Sequence, residues 1–579
     1  MRSFIIIVVL LAAVAPPASA AGPAVVSTSP AANSMVPISA GISVSFDVLI
    51  DSATVDSASF RVFGDRSGPI QGTRAATGFE ISFTPQDHFH VGEQVTVTLS
   101  HDIQAQDGMP LRSAGYSFQF LTGTGAAQMN FAPIDTMSNV TCCQTRIYGA
   151  GCTDLDEDGY LDLITVNEVS GDIRVTLNKG DGTGLYHPFL PPQAVGEEVS
   201  PNRTADFDND GHSDFCVAST SDGSVFVLLG DGDGVFGSTQ EITVGVAPHG
   251  LVVLDVDGDG DTDIVNANRS SNLLSMMLND GNGAFGAATF FDGGVSGEYG
   301  LDSGDMNRDG ILDLVVASNV GEIRTLLGNG DGTFSAATAA STGGATWVVV
   351  LGDLNGDGDL DATTANSFHG TGSILMGNGD GTFTFSTTEN VGGHLVSTDL
   401  GDLDGDGDLD WVLSSFGANR WRILTNDGSG VFSFKEDILA PANPSCSILY
   451  DFDNDRDLDM ALSDEIADVL ILMENQGEPV GVPDLGGSGG RLPPNVPNPF
   501  TQSTVIRFGL ESPQDVELRV YDVHGRLVHE HDWPGLPAGD HEFGFTARGR
   551  DGRPLPSGVY LYTVRAEGEV RSGRMHLVR

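Results

Sequence analysis

The stretch DVDGDGDTD, residues 255 to 263, places five aspartates in nine positions. Bare carboxylates this close repel and raise one another's pKa, so the arrangement calls for a cation. Side chains at positions 1, 3, 5 and 9, with a backbone carbonyl at position 7, surround one point with oxygen. That suits a hard ion taking about six to eight ligands. Glycine at position 6 permits the turn that folds the carboxylates inward. Magnesium keeps several waters and avoids all-protein cages, so the chemistry selects calcium. The loop is not an EF-hand, because position 12 is Asn266 rather than a bidentate Glu, and strand-like runs flank it.

The pattern begins seven times, at steps of 48 to 52 residues. The expected ligands are Asp154, Asp156, Asp158 and Asp162 in the first loop, then Asp206, Asp208, Asp210 and Asp214, then Asp255, Asp257, Asp259 and Asp263. The fourth and fifth loops offer Asp305, Asn307, Asp309 and Asp313, and Asp353, Asn355, Asp357 and Asp361. The last two offer Asp402, Asp404, Asp406 and Asp410, and Asp451, Asp453, Asp455 and Asp459. Asn307 and Asn355 keep an oxygen ligand while dropping a charge. Arg456 stands where the other loops have glycine, so the seventh site departs most from the pattern. The reading is up to seven Ca2+ ions that neutralise the carboxylates and make each loop a rigid corner.

A repeat of this length is one structural unit. In the third unit, apolar runs at 250–254, 264–267, 273–278 and 287–291 alternate with the aspartate loop and two turns. Four short antiparallel strands make one propeller blade, so the chain is read as all-β with a seven-bladed β-propeller over 126–479. The seventh unit stops at ENQGEPVG without a fourth strand. Residues 128–134, just before the first unit, are expected to supply it and remove the open edge.

Two smaller modules flank the propeller. Residues 22–124 carry short alternating runs such as Ile42 to Phe46 and Val95 to Leu99, the pattern of a β-sandwich. Residues 480–495 read as a flexible linker, and 496–579 as a second small sandwich, with runs at 504–508, 516–521, 541–545 and 559–564. The N-terminus, MRSFIIIVVLLAAVAPPASA, reads as a secretory signal over 1–20, and no later segment is apolar enough for a transmembrane helix. The expectation is an exported protein at the cell surface or outside the cell.

The loops, with turn elements such as NDGNGAFG and GNGDGTFS, resemble integrin α-subunit propellers and bacterial FG-GAP or VCBS repeats. That resemblance implies the propeller fold and calcium. The opening segment, from VVSTSPAANSMVPISAGISVSFDVLID to DGMPLRSAGYSFQFLTG, resembles bacterial Ig-like domains. At the other end, Pro497-Asn498-Pro499-Phe500, Tyr521 to Arg526 and Ser557 to Tyr560 resemble type IX secretion sorting domains and the similar Ig-like domain of flagellar hook-capping proteins. The implied partner is the type IX machinery.

The net charge of −52 argues against nucleic acid. Of 79 acidic residues, 31 lie in the loops, so the acidity is largely an inventory for cations. The five cysteines allow a bridge from Cys142 or Cys143 to Cys152 and leave at least one unpaired. No GxSxG, HExxH or phosphate-binding glycine loop occurs, so no catalytic residue is assigned. Six residues before each first aspartate stand Tyr148, Ser200, His249, Tyr299, Trp347, Val396 and Ser445. Of these, Tyr148, His249, Tyr299 and Trp347 are the ligand-face candidates, suited to a sugar or a peptide side chain. Phe368, His369, Phe416 and Trp421 on the hairpins are weighed beside them. The expected role is adhesion or recognition of an unknown protein or carbohydrate at the cell surface. The alternatives are a polysaccharide-degrading enzyme and a purely structural surface protein.

Overall fold

The computed structural model describes residues 22–140 and 145–476 and, between 500 and 577, all but 501, 511, 523–526, 538, 550–552, 554, 556–557 and 567–568. The signal segment 1–20, Cys142 and Cys143, and the linker 480–495 lie outside the described residues. Cys152, Cys216 and Cys446 are free thiols. The described residues are all-β apart from two 3-10 turns of three residues, Ser52–Thr54 and Ser367–His369. They form two compact units divided at Asn475.

In the first module, Val25–Ser29, Ile42–Phe46, Glu80–Pro85 and Gly72–Thr77 form one sheet. Met35–Val36, Tyr116–Thr122, Gln94–Leu99, Phe60–Gly64 and Gly68–Pro69 form the other. The period-two alternation of a half-buried strand puts Ile42, Val44 and Phe46 inside. There they pack with Phe60, Val97 and Phe118.

Residues 131–475 fold as seven sheets. The third is typical: Pro248–Leu254, Asp263–Asn268, Leu273–Met277 and Thr289–Phe291 pair antiparallel in order. The second strand of every sheet, such as Asp214–Ser219, is buried on both faces because a neighbouring sheet covers each one. Leu254 and Val265, for example, pack against Leu301, Leu314 and Val316 of the next sheet. Each such side chain contributes about 1.5–3 kcal/mol on burial. The first strands of successive sheets touch in turn, and the cycle returns from Pro444–Tyr450 to Ile147–Thr153.

The seventh sheet borrows its outer strand from before the first, at Phe131–Ser138 rather than 128–134. The displacement follows from Gly125 and Ala127, whose N–H groups are already committed to the Arg456 and Asp404 carbonyls, so pairing with Val469–Asn475 starts only at Phe131.

In the second unit, Ser503–Leu510 pairs with Gly539–Thr546. Leu527–Leu536, Gln514–Asp522, Gly558–Ala566 and Glu569–Leu577 form a four-stranded sheet. Phe500, Phe545 and Tyr562 lie in its core. All four expected runs fall in strands. Leu527–Leu536 and Glu569–Leu577 were not expected, because His, Glu and Arg interrupt their apolar pattern.

Candidate metal loops and an opposite pocket

Each aspartate loop joins the first and second strands of its sheet and is organised by its own backbone. The position 1 carboxylate accepts N–H groups from the far side of the turn: Asp255 takes Gly258 N at 2.8 Å and Gly260 N at 2.9 Å. The position 9 carboxylate holds the loop to the third strand. Asp263 accepts Val256 N at 3.1 Å and Asn279 N at 2.8 Å, and Asp162, Asp214, Asp313, Asp361, Asp410 and Asp459 make the equivalent pair of bonds.

In five loops three carboxylates converge, with oxygens within 4.8 Å of one another. They are Asp154/Asp156/Asp162, Asp206/Asp208/Asp210, Asp255/Asp257/Asp259, Asp402/Asp404/Asp410 and Asp451/Asp453/Asp459. The seventh loop gathers its carboxylates like the others, with Arg456 taking the left-handed conformation (φ 82°) that glycine takes elsewhere. In the fourth and fifth loops Asn307 and Asn355 replace one carboxylate. The Oδ1 atoms of Asp156, Asp206 and Asp257 are buried without a hydrogen-bond partner, as a carboxylate oxygen aimed at a cation would be. Burial first, then neighbouring carboxylates, pushes Asp206 up to about 6 and Asp255 and Asp451 to about 7. Asp263 is pushed to about 9 chiefly by burial. Such groups accept a hard divalent ion in place of protons, and the donor set fits Ca2+.

The first module lies over this face and touches all seven loops. Thr153 and Asp154 donate to the Arg66 carbonyl, and Gln71 lies against Gly211. Arg61 pairs with Asp261 at 2.8 Å and also donates to the Gly260 carbonyl. The Gly310 carbonyl accepts Arg112 Nη2 at 2.8 Å and Ser117 N at 2.9 Å. Asn33 donates to Gly358 O at 3.0 Å, Thr124 Oγ1 to Asp402 Oδ2 at 2.9 Å, and Gly125 N to Arg456 O.

Position 4 follows this contact. Its backbone is left-handed in every loop. Where it bears a side chain, that side chain reaches the next loop: Glu157 to His212, Asn209 to Asp261, Arg308 to Asp359 and Asn454 to the Gly159 carbonyl. At Gly258 and Gly405 a Cβ would overlap the Ser113 and Gly125 carbonyls of the covering segment.

Beneath the cover a cavity of about 410 Å³ runs along the first strands, from Asp65 and Arg66 to Tyr148, His249 and Trp347. Arg203 and Asp399 line it. Tyr148, His249, Trp347 and Val396 also line a second cavity of about 320 Å³ on the face away from the loops. Three of the four ligand-face candidates thus separate inner chamber from outer pocket, and Tyr299 lines the outer pocket alone. The rings meet in series. His249 and Tyr299 centroids are 4.0 Å apart, Tyr299 and Trp347 stack at 4.9 Å and 11°, and Trp347 meets His394 edge-on at 4.7 Å.

The outer pocket also contains residues that the repeat pattern does not mark: Arg146, Glu168, Arg269, His394 and Glu465. Most sit where the second strand turns into its hairpin. Their types differ from unit to unit, so only their shared register could have found them. Arg146 pairs with Glu168 at 3.2 Å and with Glu465. Arg269 donates to Tyr299 Oη at 2.9 Å and lies over its ring. Burial lowers both imidazoles, His249 to about 3, so both are neutral at physiological pH. Phe368 is exposed at the rim and Phe416 lines the pocket, but Trp421 is a core residue whose indole donates to the Cys446 carbonyl at 3.3 Å.

Comparison with known proteins adds domain identities. FG-GAP-like repeats match residues 206–266, 255–316, 305–364 and 402–462. A bacterial Ig-like domain matches 19–122, and a FlgD Ig-like domain matches 495–569. The chain therefore contains a β-propeller-like module between two Ig-like domains. No curated protein matches it. Among solved structures, BBS1N in complex with ARL6DN is 10% identical, covering 60% of this chain and 97% of its own, with a TM-score of 0.44. PorZ, a surface component of the type IX secretion system of Porphyromonas gingivalis, is 12% identical, covering 94% and 74%, at 0.39. A functionally unknown protein from Desulfotomaculum acetoxidans is 11% identical, covering 60% and 96%, at 0.37. None of these scores reaches the level at which a shared fold follows. No helix among the described residues is long and apolar enough to cross a membrane.

Proposed function

We propose that the seven sheets are the blades of a seven-bladed β-propeller, braced by Ca2+ in up to seven loops. The protein is a non-catalytic recognition or adhesion module, exported by its N-terminal signal and displayed at the cell surface or released outside the cell. The C-terminal Ig-like unit is its sorting domain, handled by a type IX machine. The observation carrying this reading is the contrast between the two faces. The first module covers the loop face, whereas the other keeps an aromatic pocket open to solvent.

Two measurements test it. Metal counting on the purified chain should find five to seven calcium ions, the five converged clusters being the minimum. Deleting 496–579 should leave the protein in the periplasm. An undiminished surface population would sink the sorting role.

A further inference from the structure

Resting on that recognition reading, we infer that the outer pocket is a saccharide site for a neutral sugar, stacked on Trp347 and Phe368 and hydrogen-bonded by His249 and His394. The argument starts from what the pocket's own groups already satisfy. Arg146 occupies Glu168 and Glu465, so the strongest acceptors are answered by a resident cation. Glu198 Oε2 accepts Ser221 Oγ at 2.6 Å. An incoming cation would meet two guanidinium groups, Arg146 and Arg269. An anion would meet three carboxylates, in a chain whose net charge is −52.

Four atoms of the lining are buried without a hydrogen-bond partner: Glu168 Oε2 and Arg146 Nε, which belong to the resident ion pair, and the neutral Nε2 of His249 and Nε2 of His394. The one hydrogen bond of the His249 ring goes to the Tyr299 backbone, which leaves its Nε2 an open acceptor. A purely apolar ligand would leave both imidazole nitrogens unpaired. A hydroxyl donates and accepts, so it answers either tautomer of a neutral imidazole.

Around these nitrogens stand flat rings. Phe368, 71% exposed, stacks on His394 at 5.2 Å and meets Trp347 edge-on at 5.8 Å. A pyranose ring combines an apolar C–H face with hydroxyls along its edge, and so meets both demands. The cavity of about 320 Å³ lies at the lower end of the range for ligand pockets.

The test is ligand-observed NMR and calorimetry on the full mature chain in calcium. The probes are cellobiose, lactose, chitobiose and mannobiose, with digalacturonate and a lysine- and arginine-containing peptide as contrasts. At least one neutral disaccharide should bind. Phe368→Ala, an exposed substitution that leaves the core intact, should weaken it about tenfold, equivalent to about 1.4 kcal/mol. Trp347→Ala and His249→Leu should abolish it, and Phe434→Ala, an exposed aromatic on an outer strand, should leave it unchanged. Binding of no saccharide at millimolar concentration would overturn the inference. So would binding indifferent to Phe368 and Trp347, or preference for digalacturonate. Peptide binding lost in the same variants would overturn the sugar while leaving the recognition reading in place.

Discussion

The two faces of the seven-sheet region use opposite strategies. On the loop face the same residue types recur from unit to unit, and buried oxygens without a hydrogen-bond partner, such as Oδ1 of Asp156, Asp206 and Asp257, are carboxylate atoms of the loops themselves. On the far face the equivalent register holds Tyr148, Ser200, His249, Tyr299, Trp347, Val396 and Ser445, with no type common to all. Buried nitrogens are left unanswered there. On the proposed reading, repetition marks where the chain stabilises itself, and variation marks where it meets a ligand.

The largest test of that contrast is metal removal. Each site held at a hundredfold over its Kd adds about 2.7 kcal/mol to folding. Chelation is therefore expected to lower the melting temperature of the full chain by tens of degrees, calcium alone restoring it, as scanning calorimetry would show. An unchanged melt would remove the division of labour between the faces. The metal-free chain should also show a characteristic pH response. Asp162 and Asp313 are raised to about 8 and Asp263 to about 9, mainly by burial. A raised carboxyl favours the fold while protonated, so this contribution to metal-free stability is fully present below about pH 4, the unfolded value, and is lost progressively as pH rises from there through the folded values of about 8 to 9. Melts of chelated protein across that range check the sign.

Single substitutions then grade the loop face. Asp263→Ala strands the N–H groups of Val256 and Asn279, and a loss of about 4 kcal/mol is expected in urea unfolding with calcium present. Gly405→Val combines a φ of 72° with overlap on the Gly125 carbonyl. It is expected to cost about 3 kcal/mol and to raise hydrogen exchange across 123–127, where the covering segment would lift. Opposite these, Phe368→Ser should change stability by less than about 0.5 kcal/mol. A cost near that of Gly405→Val would mean that the far face is structural too.

Most of the architecture was legible in the sequence because its determinants are local. A loop's ligands lie within nine residues, and the four runs of each unit follow in spatial order. The missing outer strand was legible as an absence, although its register was set by contacts at Gly125 and Ala127 that no pattern reveals. The covering of the loops was not foreseen, since it depends on pairs such as Arg61 with Asp261, 200 positions apart. A trace of it stands at position 4, where Gly258 and Gly405 replace the side chains of Glu157, Asn209, Arg308 and Asn454, but Gly356 has nothing above it. The pocket was half legible. The aromatic tier shares a register with the loops, whereas Arg146, Arg269 and His394 gain their meaning only from their neighbours across the cycle.

The borrowed strand also decides how the molecule carries force. Phe131 pairs with Asn475, so the chain enters and leaves this clasp at the same end. Tension between the two chain segments would open it like a zipper, one rung at a time, rather than shearing all rungs together. Load arriving through the first module, however, meets Thr124, Gly125 and Ala127 before it reaches Phe131, and these are fastened to the sixth and seventh loops. The clasp thus lies behind a latch fastened to two aspartate loops, and with calcium in those loops its grip would follow the ambient calcium concentration.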